Sequence, residues 1–91
     1  YTISAQIKAL IDRMVPFYTK LDNKQVYIIV AAADPDESML ELAVDSFRGL
    51  TRDCMEGAVE KGVIKATGVW ERGAVDATDF PRQAYLMGKS V

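Results

Sequence analysis

Residues 26–33 read VYIIVAAA, an apolar run with no alternation of polar and apolar residues, and no other stretch constrains the fold so tightly. A strand with one wet face alternates. A short unbroken run instead predicts a strand covered on both faces, as in a parallel sheet. The turn residues LDNK at 21–24 lead into it, and DPDE at 34–37 follows. Asp34 suits a helix N-cap, Pro35 the first helical position, and Glu37 the carboxylate that reaches back in a capping box. The strand therefore passes through a tight turn into a helix.

That helix is expected over about 36–55, with Leu40, Ala43, Val44, Phe47, Leu50 and Cys54 on one stripe and Gly57 as a stop. Before the strand, Ile7, Leu10, Ile11 and Met14 repeat at helical spacing, so a helix is drawn from about 5 to 15 or on to Tyr18. Ser4 caps it by accepting from the amide of Gln6 or Ile7, and Pro16 ends or bends it. After the polar EKG turn, VIKATGVW at 63–70 reads as a second strand, with Lys65 at a less buried position. Asp79 or Thr78 then caps a last helix whose stripe is Phe80, Ala84, Met87 and Val91.

Helix, strand, helix, strand, helix is an α/β order in which a helix carries the chain between two parallel strands. Two strands are few for a parallel sheet, so further strands and helices are expected upstream of Tyr1, from the same polypeptide or a partner. All 91 residues thus form one partial domain.

The formal charge of −2 comes without any basic patch, which argues against a nucleic-acid partner. One Cys excludes an internal disulfide and, with four Met, suits a reducing compartment; the cytoplasm is the expected location. No apolar run approaches the roughly 18 residues of a membrane span. The absence of His removes Ser-His-Asp and Cys-His catalysis and the commonest zinc ligand. Neither the Rossmann nor the P-loop glycine pattern occurs.

Some residues carry two readings. Asp34, Asp36 and Glu37 are helix-capping groups or a carboxylate cluster for a metal or acid–base work, and capping is adopted. Cys54 is read as a core residue rather than a reactive thiol. Trp70, at the end of the second strand, packs inward or against a subunit, or stacks on a ligand. Tyr1 and Thr2, ahead of the first helix, and the small residues of AAAD, beyond the carboxyl end of a strand, stand where open parallel sheets bind ligands.

YTISAQIKALIDR resembles the segment after the third strand of the flavodoxin-like NAD(P)H-dependent FMN reductases, with Ser4, Gln6, Lys8, Ile11, Asp12 and Arg13 matching in position. In that family a strand ending in Ser-Pro-x-Tyr precedes it. VYIIVAAAD is similar to the family's fourth strand and flavin-edge loop, GVIKATGVWERGAV to its fifth strand and following turn, and PRQAYLMGKSV to its last helix. The likeness spans the chain but only the C-terminal half of a family domain.

The resemblance implies the C-terminal part of a three-layer α/β/α flavodoxin-like fold. It further implies a parent oxidoreductase that moves hydride from NAD(P)H through FMN to an acceptor, usually as a homodimer. Tyr1 and Thr2 would then lie beside the isoalloxazine ring, and Ala32, Ala33 and Asp34 near its polar edge, with no side chain acting as acid or base. The family binds the FMN phosphate after its first strand, which these residues do not include, so this chain alone is expected to be inactive. Where the family often has glycines, AAADPDES has Ala and Asp-Pro. A non-catalytic flavin-binding electron carrier, or a structural or self-associating fragment, is the alternative.

Overall fold

A computed structural model describes residues 2–91. Helix α1 (Ala5–Met14) comes first, followed by strand β1 (Gln25–Ala31), helix α2 (Glu41–Asp53), strand β2 (Val59–Ala66) and helix α3 (Phe80–Lys89). Short 3-10 helices cover Val15–Lys20, Glu37–Leu40 and Ala74–Ala77. This is a mixed α/β arrangement with one parallel, two-stranded sheet. Among the described residues, no helix is long and apolar enough to cross a membrane.

Ser4 caps α1 as expected, its Oγ accepting from the amide of Ile7 at 3.4 Å. Pro16 lies in the first turn of the 3-10 segment that replaces the α-helix from Val15. Only Ile11 of the predicted stripe is buried, against Leu50 and Met55, with Met14 partly buried beside them, while Leu10 is exposed. One neighbour, the end of α2, covers α1, so its buried stripe is narrow.

The two faces of the sheet differ. Val26 and Ile28 pack on the fully buried Val44 of α2, with Val30, Phe47, Ala58 and Val63 around them. Side chains alternate along a strand, so Tyr27 and Ile29 turn to the opposite face. There α3 lies over β2, its Met87 side chain set against Gly62, where a Cβ would come within 2.6 Å of the sulfur. Coverage stops short of β1, and Ile29 is 58% exposed. The expectation of a strand buried on both faces is thus corrected: α2 covers one face of β1, and nothing among the described residues covers the other as fully.

Strand β2 begins earlier than its sequence suggests. Val26 pairs with Glu60 and Tyr27 with Gly62, so Lys61 is an extra residue in a β-bulge, and the expected EKG turn is strand. The bulge resets the alternation and brings Glu60, Val63 and Lys65 to the face under α2. Arg48 of α2 grips Glu60 with both arms of its fork, Nε and Nη2 each donating at 2.9 Å, and it also pairs with Asp45 at 3.0 Å and with Glu41. Lys65 completes the network by donating to Glu41 and, at 3.4 Å, to Glu37. Strand β2 ends at Ala66, so Trp70 stands outside it and is 78% exposed rather than packed.

The start of α2 also differs. Asp34 Oδ1 accepts from the amide of Asp36 at 2.8 Å in an Asx turn, and Asp36, not Asp34, caps the next turn by accepting from the amide of Ser38 at 2.9 Å. Glu37 reaches toward Lys65. The helix ends at Asp53, leaving Cys54 exposed while Met55 takes the core position expected for it. In α3 the stripe of Phe80, Ala84 and Met87 is half-buried, and Val91, beyond the helix end, is exposed.

Replacing Val44→Ala removes two buried methyl groups and is expected to cost about 2 kcal/mol, read by denaturant titration. Arg48 holds the Glu60 carboxyl below the usual carboxylate range, and Lys65, then Arg48, do the same for Glu41. Depressed carboxylates stabilise the fold fully above their unfolded values and lose that contribution as pH falls through the folded ones, from about pH 5 downward. Glu60→Gln is therefore expected to lower the melting temperature at pH 7 and to flatten its decline in acid.

Candidate functional site

Pairing with β2 uses one edge of β1 and leaves the other open. The amide of Ala32 donates to Ala66 at 2.9 Å and its carbonyl accepts from Val69 at 3.1 Å, so both its polar groups face β2. Residues of the same parity, Ile28 and Val30, face that way too, and Tyr27, Ile29 and Ala31 direct their N–H and C=O groups to the open side.

A groove of about 680 Å³ runs along this open edge. Every residue from Tyr27 to Asp34 borders it. Because consecutive side chains point to opposite faces, only a cleft along the backbone edge can touch them all. Ile3, Ser4 and Ile7, ahead of and within the first turn of α1, form one wall, and Met39 and Leu40 of the 3-10 turn with Ala43 and Phe47 of α2 form the other.

Four of the five expected site residues meet here: Thr2, Ala32, Ala33 and Asp34 all line the groove. Tyr1 lies outside the described residues. The Thr2 hydroxyl is 3.2 Å from Ser46 Oγ, and Ser46 spends its own proton on the Leu42 carbonyl at 2.7 Å, so Thr2 donates. This bond ties the chain ahead of α1 to α2 across 44 positions of sequence. Ala32 and Ala33 are half-buried and keep the end of the groove shallow in side chains. The Asp34 carboxylate holds the Asx turn, and its carbonyl accepts from the amide of Gly68 at 3.1 Å.

The chemistry offered is that of a backbone edge between apolar walls. It suits a flat or extended group that hydrogen-bonds to main-chain amides and carbonyls. Asp36, whose carboxyl is held low by the hydroxyl and amide of Ser38, serves as a cap. Among the described residues, no group of three or more His, Cys, Asp or Glu is arranged to hold a metal ion.

Sequence reasoning missed the walls. Leu40, Ala43 and Phe47 were legible as a buried stripe, but the same stripe extends past the strand edge to border the groove, and only the unpaired edge of β1 signals that. Trp70 does not line the groove. Comparison of the chain with protein-family models, with curated proteins and with solved structures gives no match.

In hydrogen exchange of the 91-residue chain, the amides of Ile28, Val30 and Ala32 are expected to exchange at least roughly tenfold more slowly than those of Ile29 and Ala31. Equal protection along the strand would mean that the edge is already paired.

Proposed function

We propose that this chain supplies the C-terminal part of a flavodoxin-like domain that carries hydride from NAD(P)H through FMN to an acceptor. The observation that carries the reading is the open outer edge of β1, where a groove bordered by Tyr27 to Asp34 has the place of a further parallel strand, with Ala32, Ala33 and Asp34 at the carboxyl end of β1 and Thr2 on the same groove. In open α/β sheets, ligands bind beyond the carboxyl ends of the strands. The layering supports the same reading: α1 and α2 share one face and α3 takes the other, as in a three-layer α/β/α fold lacking the strands beyond β1.

The residues present suit one part of FMN. Small side chains at Ala32 and Ala33 let a flat ring approach, and with the Ala32 amide spent on Ala66, the Ala33 amide is the one assigned to the polar edge of the ring. A donor there stabilises the negative charge that builds on reduction. Thr2, fixed by Ser46, positions the chain on the other side of the groove. FMN, when bound, accepts hydride from the nicotinamide and passes the electrons on. The FMN phosphate and the reacting face of the ring are left to strands upstream in the parent protein; the homodimer comes with the same resemblance, and the cytoplasmic setting rests on the single Cys and four Met.

Native mass spectrometry beside a denaturing spectrum tests the reading. The expected result is a denatured polypeptide heavier than 10.1 kDa, a native species that releases FMN, and oxidation of NADPH with bleaching of the flavin. A 10.1 kDa chain without flavin, whose size in solution rises with concentration, would overturn it in favour of a fragment that associates through its open edge.

A further inference from the structure

The carboxyl end of the sheet holds a second feature that the groove does not use. Beyond β2, the amide of Gly68 donates to the Asp34 carbonyl and that of Val69 to the Ala32 carbonyl, both at 3.1 Å. The segment after β2 is thereby fastened to the loop that ends β1, and Trp70 follows at once, 78% exposed. A large apolar ring left in water is informative where a small one is not.

Arg72 stands two residues further on. The amide of Ala74 donates to the Glu71 carbonyl at 3.0 Å, and Gly73 has φ 81° and ψ −2°, the values of the second central position of a type II turn. Arg72 therefore occupies the first central position, at the corner. It is exposed and, among the described residues, joins no ion pair, unlike Arg48, Arg52 and Arg82.

An exposed indole and an unpaired guanidinium two positions apart, at the ends of parallel strands, match the two halves of a phosphorylated nucleotide. A base stacks on the ring, and the planar fork takes phosphate oxygens. Glu71 and Asp76 lie on the same segment and oppose an anion, which limits the affinity.

We propose that the turn at 71–74, with Trp70 just ahead of it, receives the nicotinamide nucleotide, Trp70 against a base and Arg72 on a phosphate. The identity of the nucleotide rests on the oxidoreductase reading; the binding itself does not.

Adenosine 2′,5′-bisphosphate is the probe, titrated into the full protein by calorimetry and by the emission of Trp70, the one tryptophan of the chain. Saturable binding is expected. Trp70→Ala and Arg72→Ala each weaken it roughly tenfold, Trp70→Phe retains most of it, and Glu71→Gln tightens it. Salt weakens binding to the wild type more than to Arg72→Ala. Both side chains are exposed, so circular dichroism of the variants should match the wild type. Absent binding, or wild-type affinity in either alanine variant, overturns the inference, and FMN retained in the same samples then leaves the oxidoreductase reading standing. Nucleotide affinity lost in the variants of a protein that binds no FMN supports the turn and overturns that reading.

Discussion

Parallel strands need a covered crossover, and here that requirement falls on α2. Val44 sits fully buried over Val26 and Ile28, and Arg48, four residues and one turn further on, clamps Glu60 of β2. One helix thus holds both strands by different means, apolar burial on β1 and a bidentate ion pair on β2. The bulge at Lys61 makes this workable, because it lets Glu60 and Val63, an odd number of positions apart, face the same helix. The open edge follows from the same arrangement: α2 and β2 satisfy one side of β1 and leave the other unpaired.

The elements were legible where one signal dominated. VYIIVAAA gave a strand and the 3.6-residue stripes gave three helices, because apolar burial dictates both. The start of β2 was not legible, since a bulge erases the alternation by which a strand is read, and EKG has the composition of a turn. Nor was the capping of the turn ahead of α2. Asp34 and Asp36 have the same chemistry two positions apart, and both make the bond that an N-cap makes, to the second amide ahead. Asp36 caps the 3-10 turn at Glu37–Leu40, and α2 itself starts only at Glu41 without a side-chain cap, because the chain must first travel from the strand to the layer above it, a length set by tertiary packing.

The site was legible in its strand-end residues and not in its walls. Ala32, Ala33 and Asp34 declare themselves by following a buried strand, and Thr2 by preceding a helix. Cys54 shows the opposite failure. It is apolar enough to be read as core, yet the helix stops at Asp53, so it falls just past the element that would have buried it. Periodicity reports which face a residue shares, but not whether its element is still running there.

The 3-10 turn at Glu37–Leu40, which delays α2 to Glu41, has a consequence for the groove. Had Asp34 capped the helix directly, the first turn of α2 would follow Ala33 at once. Successive Asx turns instead hold Asp34 against Gly68 and place Met39 and Leu40, the end of the 3-10 turn ahead of α2, on the groove wall. The backbone of Ala32 and Ala33 is left between them with only methyl groups to shield it. A site assembled from main-chain polar groups needs small side chains where the ligand approaches and firm anchors on either side, and the Thr2–Ser46 and Asp34–Gly68 bonds provide those anchors. On the function proposed above, recognition of this kind would select a ligand by shape and by the spacing of its hydrogen-bonding edge, a role that asks nothing of histidine or of a metal-binding cluster.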